Sequence, residues 1–278
     1  MTNPSSPIRA LLVDIDGTLV GADFEVTPRV REALNDVRKY GIHISLCTGR
    51  PDVAARHYVD DLQLTGFHIF DSGATISDLL NGITLYEQGI SQSIAHQVLD
   101  FARDQNLYTE LYGAGGYYAD FESEHSRMHA ELQRWQPVIG DLSKVIDKIP
   151  VTKMEVVVLD GDEKARAKLL CSHFEDRLNF GWALAPGIKA QFVNILNKAV
   201  SKGEAVERLL AHWGIAKEQA MGIGDGPNDE PLLRSVGVGV AMGNATESLK
   251  QIATWVTAPV DEDGLAIAIN HYILSRFS

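Results

Sequence analysis

An α/β fold is predicted: a doubly wound, mostly parallel Rossmann-like sheet with an inserted α+β cap domain. Three observations carry this. Apolar strand-like runs alternate with amphipathic segments in both arms of the 278-residue chain, the rhythm of βαβ units on a parallel sheet. Between about Thr84 and Leu196 that rhythm gives way to clustered strands and hairpins, which suits an antiparallel sheet with helices on one side. The outer runs end in polar residues, as expected where the strand tips of an open sheet border a ligand crevice. The core domain is therefore expected over 1–84 and 197–278, and the cap over 85–196.

The elements follow in order. Ile8 to Val13 reads as a buried strand, and Thr27-Pro28 opens a helix to about Tyr40, with Thr as N-cap and Pro in the first turn. Gly41 ends it. Ile42–Cys47 is a second strand, 52–62 a helix, and Phe67–Phe70 a third strand ending in Asp71-Ser72-Gly73. In the middle, a helix is expected near 91–105, a hairpin over 108–119 and a strand over 154–159. A helix near 162–178 and strands around Trp182 and Phe192 complete it. The outer pattern resumes with a helix of 202–213, the strand Ala220–Ile223, a short helix, the run Val236–Val240, a helix near 245–253 and Trp255–Thr257.

Composition bounds the function. A chain 45% hydrophobic and 22% charged can bury a sizeable core, and a net charge of -12 argues against nucleic acid or anionic lipid as partner. Cys47 and Cys171 are far apart and lack zinc spacing, the usage of a reducing cytoplasm. The segment MTNPSSPIRA has no apolar signal-peptide stretch, and no run approaches membrane-spanning length. A cytoplasmic location away from membranes is expected.

The chemistry lies at the strand tips. Asp14 and Asp16 follow the first strand, Thr48 the second, and Asp225, Asn228 and Asp229 the strand near 220, while Lys202 opens a helix. A doubly wound sheet brings such tips to one edge. Carboxylates gathered there repel one another unless a divalent cation sits among them. Asp14 and the Asp16 carbonyl suit a hard ion such as Mg²⁺, which keeps room for a substrate phosphate. Lysine, hydroxyl and amide add a socket for an oxyanion, so the set points to phosphoryl transfer onto a carboxylate.

In these residues the chain resembles the haloacid dehalogenase-like hydrolases, specifically the Cof-type phosphatases with an α/β (type IIB) cap. The resemblance rests on Asp14-x-Asp16-Gly17-Thr18, Thr48-Gly49-Arg50, Ser201-Lys202-Gly203 and Asp225-x-x-Asn228-Asp229, with Ala241–Ala245 and Asp263-Gly264 in support. It covers both arms; the cap matches in position and size. It implies that Asp14 is the nucleophile and Asp16 the general acid and then base. It further implies that Thr48, Gly49, Arg50, Lys202 and Asn228 contact substrate phosphate or substrate, and that Asp14, the Asp16 carbonyl, Asp225 and Asp229 hold or orient Mg²⁺. The implied activity is Mg²⁺-dependent hydrolysis of small phosphorylated metabolites, such as sugar or cofactor phosphates, through an aspartyl-phosphate. Two departures stand out: Asp71-Ser72-Gly73-Ala74 where Asn-Gly-Ala is usual, and Gly226-Pro227 inside the last motif.

Other readings compete. Asp16-Gly17 and Thr48-Gly49-Arg50 also read as plain turns, Arg50 as a structural residue, and Lys202 as a surface lysine poorly placed for the helix dipole. Gly222 to Gly226 forms only part of a dinucleotide loop, so an oxidoreductase is a distant reading. His125 and His129 lie four apart on a predicted helix; lacking a third ligand at metal-site spacing, they read as a solvated face. Tyr108, Tyr112, Tyr117, Tyr118 and Trp182 read as cap core, with one or two able to line a pocket. The same residues would also serve a phosphomutase, or a non-enzymatic phosphoacceptor signalling domain. Asp16 opposes the latter, since a resident acid/base two residues from the nucleophile empties the phospho-aspartate.

Overall fold

The computed structural model describes residues 7–113, 115–184 and 190–277. The first arm supplies β1 (Ala10–Val13), α1 (Pro28–Lys39), β2 (His43–Leu46), α2 (Asp52–Asp61) and β3 (His68–Phe70), then a hairpin of β4 (Thr75–Asp78) and β5 (Ile83–Glu87). The middle supplies α3 (Gln92–Asp104), β6 (Thr109–Gly113), β7 (Gly116–Ala119), α4 (Glu124–Gln133), β8 (Val138–Ile139) and α5 (Leu142–Ile146). It continues with β9 (Lys153–Val158), α6 (Gly161–Phe174), β10 (Leu178–Leu184) and β11 (Gln191–Asn197). The last arm gives α7 (Lys202–Trp213), β12 (Ala220–Gly224), α8 (Glu230–Arg234), β13 (Val238–Ala241), α9 (Glu247–Ile252), β14 (Trp255–Val256) and α10 (Gly264–Tyr272).

Continuous apolar runs need burial on both faces, and a parallel sheet gives it. The main sheet has the order β14-β13-β12-β1-β2 and is parallel throughout. All four β1 residues are buried at its centre, between Ala220–Ile223 and His43–Leu46. A single parallel bridge, Cys47 to Ile69, carries the sheet on to β3, which otherwise pairs antiparallel with β4. Helix α1 begins as expected: the Thr27 hydroxyl accepts from Val30 N at 3.2 Å.

The cap sheet has the order β10-β11-β9-β6-β7-β8, antiparallel except where β7 meets β8. Its strands alternate strictly, as pleating requires. On β9, Met154, Val156 and Val158 join the apolar cluster built with α3 and α6, whereas Lys153 and Glu155, equally buried, belong to the other face. That polar face looks onto the core domain.

Five elements lay outside the sequence expectations: the two strands of the β4–β5 hairpin, β8, α5 and α10. The expected domain division after residue 84 falls inside β5, and that after 196 falls one residue before the end of β11.

Candidate active site

The tips of β1, β2 and β12 meet at one edge of the main sheet. Asp14 N still donates to Ile223 O at 3.1 Å, so the backbone holds sheet register where the carboxylate turns into the crevice. Gly17 has φ +80, and a Cβ there would lie 2.2 Å from Asp225 Oδ2; the loops after β1 and β12 pack too closely for any side chain. Asn244 ties them together, donating from Nδ2 to Gly17 O at 2.9 Å and to Asp225 Oδ2 at 3.2 Å.

Lys202, at the first turn of α7, is 1% exposed. Its Nζ donates to Asp14 Oδ1 at 2.7 Å and to Asp229 Oδ1 at 2.5 Å, which offsets its poor position against the helix dipole. Asp229 Oδ2 in turn accepts from the backbone N–H groups of Asp225 and Gly226, each at 3.0 Å. Oxygens of Asp14, Asp225 and Asp229 lie within 4.8 Å of one another.

Three carboxylates against one ammonium leave excess negative charge in a buried place. Burial, then Asp229, raise Asp14 to about 7 against the pull of Lys202. Burial, Asp14 and Asp229 likewise lift Asp225 well above the carboxylate range. Burial alone would lower Lys202, but Asp14 and Asp229 outweigh it and hold it raised. Crowded hard oxygen donors with uncompensated charge fit a divalent cation of the Mg²⁺ type.

At the tip of β2, Thr48 is fully buried and its hydroxyl accepts from Arg50 N at 3.0 Å, keeping its own hydrogen available. The Arg50 side chain, 3% exposed, forks onto Asp16: Nε to Oδ2 at 2.9 Å and an Nη to Oδ1 at 2.6 Å. This engages both carboxylate oxygens of Asp16 and leaves its main-chain carbonyl as the ligand the motif implies. Asp14, Asp16, Gly49, Arg50, Asp225 and Asn228 line a cleft of about 60 Å³. Thr48, Lys202 and Asp229 stand behind its surface.

The cap roofs this cleft with His129, Gln133, Glu155, Phe192 and Asn194. The histidine pair is not a solvated face. His129 is 2% exposed, with Nδ1 2.6 Å from Glu110 Oε2 and Nε2 3.4 Å from Glu155 Oε1, while half-buried His125 pairs with Glu163 at 2.9 Å. Helix α4 lies on the polar face of the cap sheet, a tertiary contact that helical spacing cannot reveal. Tyr112 and Tyr117 stack within the cap, centroids 5.4 Å apart, and the described cap aromatic on the cleft is Phe192 instead. A signal for Glu155 did exist: Lys153-Met154-Glu155 places charges at every second position of an otherwise apolar strand.

Asp71-Ser72-Gly73 sits at the core–cap junction rather than on the cleft. All three residues have positive φ, and a Cβ on Gly73 would lie 2.3 Å from Ser201 O. Asp71 Oδ2 accepts from cap Thr152 Oγ1 at 3.2 Å, and Oδ1 has no partner among the described residues. Burial raises Asp71 from 3.8 to about 6, so stability contributed by its protonated form is lost as pH rises through about 6. Asp71→Asn tolerates the left-handed backbone and is expected to stabilise the protein by up to about 3 kcal/mol at pH 7.5, with little gain near pH 4. Melting curves at the two pH values check this.

The family profile of haloacid dehalogenase-like hydrolases matches residues 11–269. A 5-amino-6-(5-phospho-D-ribitylamino)uracil phosphatase of Bacillus subtilis is 29% identical over 98% of this chain and 100% of its own length. An HMP-PP phosphatase of Klebsiella pneumoniae is 26% identical over 85% of each chain. A solved subclass IIB sugar phosphatase superposes with TM-score 0.84 at 25% identity, over 95% of this chain and 98% of that one. The chain belongs to the haloacid dehalogenase-like hydrolases. Within them it is a capped phosphatase of the Cof type.

Proposed function

We propose that the protein is a Mg²⁺-dependent phosphatase of small phosphorylated metabolites, working through an aspartyl-phosphate on Asp14. The observation that carries this is the buried set of Asp14, Asp225 and Asp229 around Lys202, opening into a cleft that Asp16 borders and the cap covers. Asp14, Asp225 and the Asp16 carbonyl would hold the ion. When bound, it neutralises charge on the phosphoryl oxygens.

The Asp14 carboxylate attacks phosphorus, the ester P–O bond breaks, and Asp16 gives its proton to the departing alcohol. Asp16 then takes a proton from water as that water attacks phosphorus, and the bond to Asp14 breaks to release phosphate. A group that is acid in one step is the conjugate base for the next. For Asp16 to act as acid, its fork with Arg50 has to part and the freed carboxylate has to take up a proton from solvent, which it then passes to the ester oxygen. Lys202, Thr48, Gly49 and Asn228 would hold the phosphate oxygens. Arg50 positions Asp16.

The roofed cleft has space for only a handful of waters, which supports a small substrate over a folded protein or a nucleic acid. The relatives named for a ribitylamino phosphate, HMP-PP and sugar phosphates support the same class. Both cysteines are free, in keeping with work in a reducing cytoplasm, and no described helix is long and apolar enough to cross a membrane. The phosphomutase and signalling readings predict retention or transfer of the phosphoryl group. Release of inorganic phosphate from a panel of phosphorylated metabolites, with and without Mg²⁺, separates them. Asp225→Asn should shift the half-saturating Mg²⁺ concentration upward by about tenfold or more; an unchanged titration would remove Asp225 from the ligand set.

A further inference from the structure

We propose that Gln133 and Glu155, with His129 between them, form the subsite for the substrate's leaving group. This subsite selects a small, neutral group rich in hydroxyl or amino hydrogens. The inference rests on the phosphatase reading of the cleft and specifies what the cap recognises.

The polar groups of the cap face are almost all paired. Glu110 accepts from Tyr108 Oη at 3.1 Å and Tyr112 Oη at 2.9 Å, as well as meeting His129 Nδ1. Glu155 Oε2 accepts from Lys153 Nζ at 2.9 Å, and that ammonium also donates to Gly49 O of the core at 2.9 Å. Two atoms are left over. Glu155 Oε1 and Gln133 Oε1 have no hydrogen-bond partner among the described residues, Glu155 Oε1 having only the ion pair with His129 Nε2 at 3.4 Å, although Glu155 is 3% and Gln133 6% exposed. Gln133 Nε2 lies 3.0 Å from His129 Nε2. A charged imidazole donates from both nitrogens, so the amide turns Oε1 to His129 Nε2 and leaves its own Nε2 hydrogens unpaired. Buried polar groups without partners are costly, and both residues line the cleft that contains Asp14 and Asp16. A ligand hydroxyl, which gives one hydrogen bond and takes another, satisfies Glu155 and Gln133 together.

A metal ion does not suit this place, although Glu110, His129 and Glu155 come within 4.8 Å of one another. The Lys153 ammonium already occupies Glu155, and two phenols fill Glu110. Charge argues for a neutral group. Burial would lower the His129 pKa, but Glu110 and Glu155 outweigh it and raise it. The set then holds two negative and two positive groups, with no surplus to draw an ionic leaving group. One wall is apolar: the Phe192 ring sits 4.6 Å from the His129 ring, and Leu132 lies beside it on the cleft. Carbon-bound hydrogens of the leaving group pack there while its hydroxyls face Gln133 and Glu155.

The test compares D-ribitol 5-phosphate with n-pentyl phosphate, the same carbon chain with and without hydroxyls, using the full chain and Mg²⁺. The wild type should prefer the ribitol ester in kcat/KM by about tenfold or more. Gln133→Leu and Glu155→Gln should each reduce that preference about tenfold, chiefly through the ribitol ester. A preference unmoved in both variants, or absent in the wild type, overturns the subsite. If Glu155→Gln melts early because Lys153 loses its partner, Gln133→Leu, which breaks no ion pair, decides alone. Phosphate release from neither ester nor from p-nitrophenyl phosphate would remove the phosphatase reading and the subsite together. Release with an unmoved ratio removes the subsite only.

Discussion

Asp14→Asn is expected to lower phosphate release by about 10⁴-fold or more while the fold stands. A neutral amide is a poor nucleophile toward phosphorus, so no covalent intermediate forms on residue 14. Stability should not suffer. Asp14 is buried beside Asp229, with its pKa raised to about 7, so its ionised form is a burden on the metal-free protein above that pH. The amide keeps an oxygen to accept from Lys202 Nζ, now 2.7 Å from the carboxylate. Single-turnover assays for phosphate and a thermal melt in chelator check the two halves separately. Turnover near wild type would falsify the assignment of Asp14 as nucleophile.

Lys202→Met should be the most destabilising single change at the site, by about 3–5 kcal/mol in the absence of Mg²⁺. It leaves Asp14 and Asp229 buried without the ammonium that both now contact. The loss depends on pH. Asp14 has a folded pKa above its unfolded 3.8, and removing Lys202 takes away an interaction that lowers it. The folded variant therefore takes up this proton at a higher pH than the wild type does, and its deficit shrinks as pH falls towards about 7 and levels off below that, where both folded forms are protonated. Millimolar Mg²⁺ should restore part of the stability by binding only the folded form. Melts at pH 8 and pH 5.5, each with chelator or Mg²⁺, test this; an equal deficit under all four conditions would mean that the ion pair is not the cause.

The parts of the fold that could be read from the chain are those in which local chemistry and tertiary role coincide. β1, β2 and β12 are apolar because the parallel sheet buries them on both faces, and they end in carboxylates or a hydroxyl because their tips open into the crevice. Thr27-Pro28 marks α1 because capping is a local matter. Helix α10 escaped because Gly264 to Ile269 is an unbroken apolar run that includes the half-buried Ile267, and a short continuous apolar run does not declare its period. The β4–β5 hairpin escaped because β5 is half-exposed or exposed along its length and its pairing shifts register between Ile76 and Ser77. At the site, the motif residues could be named one by one, but the fork from Arg50 to Asp16 could not, since it joins residues 34 apart through side chains alone. The cap contribution was hidden for a deeper reason. Glu110, His129 and Glu155 come from two strands and a helix, and although the alternation around Glu155 marks that residue, nothing in the sequence joins it to the other two.

The strict alternation along β9 separates two kinds of selection. Positions 154, 156 and 158 answer to the helices above and hold the cap together; on the row below, Lys153 bonds the core at Gly49 O and Glu155 borders the cleft. Mutational drift in one row leaves the other untouched, so a lineage can acquire a taste for a new metabolite without first rebuilding its lid. Directed evolution of this scaffold is best aimed at the downward row.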